Sequence, residues 1–155
     1  MKTFRMIVAA AVVGISLLAQ PGQPEASTRI SNDRGGLVIK YALRVLKMKR
    51  AGTHVAITGR CASACTLHLS LPKNRMCISR GASFAFHLPY GATRKGNQVA
   101  TSYLIRSYPQ WVRRWIANQG GLSSRMITMK YAQASRFIPT CNKGTASRRG
   151  RSTPG

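Results

Sequence analysis

The sequence predicts an α/β fold, with a small and mostly parallel sheet flanked by helices. Three observations carry this prediction: runs of β-branched residues of strand length, apolar residues at helical spacing, and the alternation of the two along the chain. Such alternation is typical of βα units, in which helices connect parallel strands. Ligands of these sheets bind beyond the carboxyl ends of the strands, so residues that follow a predicted strand are candidates for a functional site.

The first predicted elements follow a pair of glycines, Gly35 and Gly36. Residues 37–50 carry apolar side chains three and four positions apart, which predicts an amphipathic helix. The β-branched run at 54–58 predicts a buried strand. Residues 63–71 predict a short helix that ends before Pro72, because proline lacks a backbone N–H and disfavours helical geometry in the residue before it.

The sequence from residue 76 to residue 134 predicts two strands and then three helices. The predicted strands are 76–79 and 83–88, and the predicted helices are 99–107, 110–118 and 124–134. The first two of these helices and the turn between them carry four aromatic rings, mostly at spacings of three and four, which favours a core or subunit-contact face; they are Tyr103, Tyr108, Trp111 and Trp115. A helix lying on a membrane surface is the alternative.

The first 26 residues predict a secretory signal peptide. A short basic segment at 1–5 precedes an apolar run at 6–19 that is too short for a membrane span. Ala19 and Ala26 offer small residues for cleavage. An uncleaved N-terminal anchor is the alternative to a signal peptide.

Cleavage would leave one domain, residues 27–141, of a size that supports a single core. Residues 142–155 are rich in glycine, serine and arginine and have little to bury, which predicts a disordered basic tail. The protein is therefore expected to be exported, in the periplasm or outside the cell.

Four cysteines, an even number in a chain expected to be exported, predict disulfides; they are Cys61, Cys65, Cys77 and Cys141. Pairing of Cys61 or Cys65 with Cys77 would attach the turn at Ser63 to the next strand, and the connectivity stays open. A zinc site is the weaker alternative, because there is no CxxC pair and no histidine at finger spacing. We therefore predict no metal.

The charge balance points to anionic partners. The chain has 25 Lys and Arg against two acidic residues, a formal net charge of +23. A field of this sign attracts polyanions or an anionic membrane surface, although a solvated basic surface is the simpler interpretation. No helix-turn-helix, zinc finger or RNA-binding aromatic signature is present, so no specific recognition of nucleic acid is predicted.

Ser63 is the candidate nucleophile, because it stands among small residues where a predicted strand passes into a predicted helix. A serine hydroxyl needs a general base, and His87, near the end of another predicted strand, is the first choice. His68 would be a partly exposed helix residue, and His54 starts its strand at the opposite end. The alternative for Ser63 is an ordinary helix N-cap without chemistry.

Three motifs in order carry a family resemblance: Asn32-Asp-Arg-Gly-Gly36, Gly59-Arg-Cys-Ala-Ser-Ala64 and Phe84-Ala-Phe-His87. Their order and separations resemble the proteolytic subunit of Clp protease and the wider Clp/crotonase superfamily. The chain looks most like exported Clp-protease-like proteins with a Cys-Ala-Ser-Ala-Cys segment. The resemblance implies a ββα-type Clp/crotonase-like fold, here truncated at its N-terminus.

The resemblance also implies roles for individual residues. Ser63 matches the nucleophile and His87 the general base, and the backbone amides of Gly36 and Ala64 match the oxyanion-hole donors. It implies a homo-oligomer that acts on a peptide or acyl substrate without metal or organic cofactor.

The chain departs from the family at the third member of the triad. The family orients its histidine with a later aspartate, whereas residues 129–137 contain no acid. Gln133, Ser135 or a backbone carbonyl would then have to orient the ring. The predicted function is an exported serine hydrolase or peptidase with a Ser-His dyad. The alternative is a catalytically inactive envelope protein that binds polyanions.

Overall fold

Five strands and four α-helices make up the part of the chain that this computed structural model describes, residues 27–141. The strands are β1 (Ser27–Asp33), β2 (His54–Ala62), β3 (Met76–Ile78), β4 (Ser83–Phe86) and β5 (Ile127–Lys130). The helices are α1 (Val38–Arg50), α2 (Arg94–Ser107), α3 (Gln110–Asn118) and α4 (Tyr131–Ala134), with a 3₁₀ helix at Ser63–Ser70 and a 3₁₀ turn at Lys73–Arg75. The predicted signal peptide and basic tail lie outside the described residues.

β2 is the centre of the sheet. β1 pairs with it in parallel along one side. On the other side β3 pairs in parallel with residues 55–57 and β4 with residues 60–62. β5 pairs antiparallel with β4. The sheet is therefore small and mostly parallel, as predicted, and β2 and β4 end side by side.

The hydrophobic core is formed by the strands, the 3₁₀ helix and the inward faces of α1, α2 and α3. Tyr108 is buried, and its hydroxyl is 2.6 Å from the hydroxyl of Thr66. Trp111 and Trp115 pack partly buried against the same core, which confirms the core interpretation for these three aromatic rings. The interpretation is wrong for Tyr103, which is 40% exposed. Among residues 27–141, no helix is both long and apolar enough to cross a membrane.

β1 is a strand that the sequence did not predict. Only Ile30 of its seven residues is buried, so it carries no hydrophobic periodicity. Its pairing with β2 shifts register between Ile30 and Asn32. Gly59 of β2 lies against this irregularity, where a Cβ would stand 1.6 Å from the Ser31 carbonyl oxygen. Glycine at this position therefore lets the two backbones approach.

The predicted helix at 124–134 is wrong for most of its length. Residues Ile127–Lys130 form β5, in which Ile127 lies opposite Phe86 and Met129 opposite Phe84. Met129 is buried while its neighbours are not, which is the alternation of a strand. The edge of β4 supplies hydrogen-bonding partners to this segment, and such pairing overrides local propensity.

The strand predicted at 83–88 ends at Phe86, and two other boundaries differ from the prediction by more. β2 continues through Ala62 instead of ending at residue 58, because both β1 and β4 pair with its last residues. α2 begins at Arg94 instead of residue 99, because the hydroxyl of Thr93 caps it by accepting a hydrogen bond from the Gly96 amide at 3.1 Å.

Candidate active site

Ser63 lies at the turn where β2 ends and the 3₁₀ helix begins. Its φ is 55°, and it is the only non-glycine residue between 27 and 141 with a positive φ. This conformation costs an L-residue about 1–2 kcal/mol, and such strain is concentrated at functional sites. The helix-cap alternative is wrong, because Ala62 occupies the N-cap position and no side chain caps the helix there.

A disulfide joins Cys61 and Cys65 on either side of Ser63. Both cysteines are fully buried, and their Cα atoms are 5.3 Å apart. The bond attaches the end of β2 to the beginning of the 3₁₀ helix. It therefore closes the turn that presents the serine.

The second disulfide joins Cys77 to Cys141, 64 residues later. Neither Cys61 nor Cys65 pairs with Cys77, which was one of the connectivities that the sequence left open. β3 places Cys77 opposite Ala56, in the first half of β2 and away from the serine turn. Backbone bonds between β3 and residues 139–141 run beside this disulfide. It therefore fastens the last described residues to the sheet.

The Gly-Gly pair packs directly against the serine turn. Gly35 has a φ of +84°, and a Cβ there would stand 2.5 Å from the Ala62 carbonyl oxygen and 2.7 Å from the Ser63 Cβ. Only glycine fits this space and this conformation. The N–H of Gly36 is used by no hydrogen bond among residues 27–141. The loop that carries Gly36 and the helix start that carries Ala64 thus both adjoin Ser63.

Asp33 holds the Gly-Gly loop in place. Its Oδ1 accepts hydrogen bonds from the Gly35 amide at 2.8 Å and from the Tyr41 hydroxyl at 2.5 Å. The Arg44 guanidinium lies 3.9 Å from Oδ2 and stands over the Tyr41 ring. Burial, and then the hydrogen bond to Asp33, raise the pKa of Tyr41, so its phenol remains a donor. The only acid between residues 27 and 141 is therefore used to position this loop.

His87 directly follows β4, which pairs Ala85 with Ala62 at the end of β2. Ser63 and His87 therefore both lie beyond the carboxyl ends of neighbouring parallel strands. The Nδ1 of His87 is 2.7 Å from the Leu88 carbonyl oxygen. Because a carbonyl only accepts, this bond assigns the proton of the neutral ring to Nδ1 and leaves a lone pair on Nε2.

The group that orients His87 is the Leu88 carbonyl, one of the possibilities that the sequence left open. Asp33 is occupied by the Gly-Gly loop. Gln133 and Ser135 bond to backbone groups within their own segment. Among residues 27–141, no carboxylate bonds to the imidazole.

Ser63 and His87 line the same cavity, which has a volume of about 730 Å³. No hydrogen bond joins their side chains among the described residues. The volume falls within the range of about 300–1,000 Å³ that is usual for ligand sites. Gly35 and Gly36 also line the cavity, and its larger apolar lining residues are Leu37, Val38, Ile39, Val99, Tyr103 and Met126.

The other two histidines lie outside this cavity. His68, expected to be partly exposed, is fully buried. Its Nδ1 is 2.7 Å from the Cys65 carbonyl oxygen, its Nε2 has no partner among residues 27–141, and burial lowers its pKa. A ring nitrogen of His68 lies within 4.8 Å of the sulfurs of Cys61 and Cys65, but the disulfide leaves no thiolate for a metal. His54 begins β2, at the opposite end from the serine.

Sequence reasoning missed the hydrogen bonds that hold this site together. In the sequence, Tyr41 is one of the apolar residues at helical spacing in the predicted helix 37–50, and its bond to Asp33 depends on how that helix packs. The Leu88 carbonyl has no sequence signature at all. The Asp-Arg-Gly-Gly order was a usable signal for Asp33, because a carboxylate two residues before a glycine often accepts its amide.

Comparison with known proteins identifies the fold rather than a family. No family model matches the chain, and no curated protein matches it in sequence. One similar solved structure, described only as an enzyme, has a TM-score of 0.56 and 11% identity, with 78% of this chain and 79% of that chain covered. Another, a peptidase from Plasmodium falciparum, has a TM-score of 0.53 and 11% identity, covering 76% and 78%. The fold is thus similar to that of a peptidase.

Proposed function

We propose that this protein is an exported serine hydrolase of the Clp/crotonase type, acting on a peptide or acyl substrate. One observation carries the proposal: Ser63, with a φ of 55°, stands against Gly35 in a cavity that His87 also lines. A peptidase among the similar solved structures supports it. Two disulfides within one small domain support export, since such bonds persist in oxidising compartments.

The first step of the proposed reaction forms an acyl-enzyme. The Oγ of Ser63 attacks the substrate carbonyl carbon, its proton passes to Nε2 of His87, and the carbonyl π pair moves to oxygen. The amides of Gly36 and Ala64 would hold this oxyanion. The oxyanion pair then re-forms the carbonyl bond, and the leaving amine or alkoxide takes the proton from His87 as its bond to carbon breaks, which leaves the acyl group on Ser63.

The second step releases the product. Water attacks the acyl carbon, gives its proton to Nε2, and Ser63 recovers that proton as its ester bond breaks. The Leu88 carbonyl keeps the required tautomer but carries no charge to stabilise the imidazolium. Loss of a triad acid costs on the order of 10⁴ in kcat, so we expect a slow hydrolase. The Ser63 to His87 hydrogen bond would form as substrate fills the cavity.

Covalent labelling by a fluorophosphonate tests the proposal, because this reagent reports an activated serine without requiring the natural substrate. With both disulfides formed, we expect labelling of the wild type, none in Ser63→Ala, and strongly reduced labelling in His87→Gln. Ser102→Ala is the matched control, since Ser102 is exposed on α2 and does not line the cavity that holds Ser63.

Two results would reject the proposal. Labelling that persists in Ser63→Ala would place the reactive group elsewhere. A folded, oxidised wild type that is never labelled would favour the inactive polyanion-binding alternative.

A further inference from the structure

The exposed apolar side chains of this protein are concentrated around the cavity mouth. Ten large apolar side chains are exposed between residues 27 and 141. Six of them also line the cavity: Leu37, Ile39, Tyr90, Val99, Tyr103 and Met126. Ile39, Val99 and Tyr90 are 63%, 60% and 83% exposed. Contiguous exposed apolar surface of this kind marks an interaction site.

α1 extends this surface away from the cavity. Ile39, Leu43 and Leu46 follow one another at helical spacing and are all exposed, although the opposite side of α1 packs into the core. The helix thus has two apolar faces, of which the fold buries one. Leu43 and Leu46 lie outside the cavity lining. Together with the six exposed residues that line the cavity, they form a surface that we call the apolar rim.

Exposed cations accompany the apolar rim on α1 and at the start of α2. On α1, Lys40, Lys47 and Arg50 are exposed beside or in line with the apolar stripe. Arg94 and Lys95 are exposed where α2 begins, between residues that line the cavity. No acidic residue stands on either helix.

The sign of the charge selects the partner. Nineteen Lys and Arg stand against Asp33 alone in residues 27–141. A second copy of this chain would bring the same excess of positive charge to the contact and would be repelled. Nucleic acid would suit the cations but would leave aliphatic Leu, Ile and Val in water. An anionic lipid surface accepts both groups, because the apolar side chains enter the acyl boundary while Lys and Arg meet the headgroups.

We propose that the apolar rim docks this protein on an anionic phospholipid bilayer, with the cavity opening toward the lipid. Tyr90 and Tyr103 suit the headgroup region, where amphipathic rings are enriched. Docking of this kind needs no reaction at Ser63. It goes beyond the proposed hydrolase and stands if that proposal fails.

Sedimentation with vesicles tests the docking. The full chain, with both disulfides formed, is mixed with phosphatidylcholine vesicles that contain either no phosphatidylglycerol or about 30% of it, at about 0.1 M salt. We expect binding to the anionic vesicles and at least about tenfold weaker binding to the neutral ones.

Variants show whether the rim is the surface that binds. Ile39→Ser/Leu43→Ser should weaken binding to anionic vesicles at least about tenfold, because two exposed aliphatic groups no longer insert. Lys40→Gln/Lys47→Gln should weaken it by up to about thirtyfold, since each cation near an anionic surface contributes about 1 kcal/mol. Phe137→Ser is the control, because Phe137 is an exposed apolar residue, at 39%, that lies outside the apolar rim. Its ring stacks on Trp111, so circular dichroism must first show that this variant is folded.

Three outcomes would overturn the docking. Unchanged binding by the Ile39→Ser/Leu43→Ser protein would assign membrane affinity to another part of the chain. Equal affinity for neutral and anionic vesicles would remove the role of charge. Self-association in the ultracentrifuge that the same double substitution abolishes, without vesicle binding, would assign the rim to a second copy.

Discussion

Replacing Gly35 by alanine tests the contact between the Gly-Gly loop and the serine turn. The new Cβ would meet the Ala62 carbonyl oxygen, the Ser63 Cβ and the Ala64 nitrogen at 2.5, 2.7 and 2.9 Å. None of these atoms is the free end of a flexible side chain, so the backbone must move. Overpacking of this kind costs about 1–3 kcal/mol.

A second cost comes from the backbone conformation. At its φ of +84°, alanine loses about 1–2 kcal/mol in a left-handed conformation. Together the two costs predict a loss of roughly 2–5 kcal/mol in the free energy of unfolding for Gly35→Ala. At about 4 °C per kcal/mol for a domain of this size, Tm should fall by roughly 8–20 °C.

Gly91→Ala separates the two costs. Gly91 has a φ of +88°, and a Cβ there meets nothing within 4 Å. Its substitution therefore carries the conformational cost alone, about 1–2 kcal/mol, or roughly 4–8 °C in Tm. Calorimetry or thermal melts followed by circular dichroism on the oxidised proteins give both values. Equal losses in the two variants would refute the direct contact between Gly35 and the serine turn.

Two further predictions concern His68 and the two disulfides. Because burial lowers the pKa of His68, its proton is taken up mainly on unfolding, so stability is retained above about pH 6.5 and falls at lower pH. His68→Phe should flatten that loss in urea titrations between about pH 7 and 5, and an unchanged slope would contradict the assignment. The second prediction compares two variants, each of which lacks one disulfide. Replacing Cys77 and Cys141 together by serine opens a loop with a sequence separation of 64, whereas replacing Cys61 and Cys65 opens one with a separation of 4. Loop entropy predicts that the free energy of unfolding falls by about 4 kcal/mol without Cys77–Cys141 and by about 2 kcal/mol without Cys61–Cys65. The reverse order in urea unfolding would contradict this argument.

The elements that the sequence predicted correctly carry strong local patterns. α1 has apolar residues at helical spacing, and β2 starts with alternating buried side chains. β1 was missed because only Ile30 in it is buried. β5 was assigned to a helix because its pairing with β4 is a long-range contact that no window of neighbouring residues contains.

The candidate site shows the same difference between local sequence patterns and long-range contacts. Ser63 and His87 could be selected from the sequence, because each follows a run of strand-forming residues. The positive φ of Ser63, the contact of Gly35 with it, and the bond from Tyr41 to Asp33 could not. These depend on how two separate loops meet after the chain has folded, and they decide what the serine can do.

The serine turn follows directly from β2, a strand that is hydrogen-bonded to other strands on both sides. The strand that leads into Ser63 has β1 on one side and, on the other, β3 followed by β4, so neither edge of it faces solvent along its paired length. Local opening of the domain begins where backbone bonds are exposed and contacts are few. The amides at 60–62 should therefore exchange with solvent only through the rarest, domain-wide openings. The turn at Ser63 would keep its shape while the loops and helices that surround the cavity move.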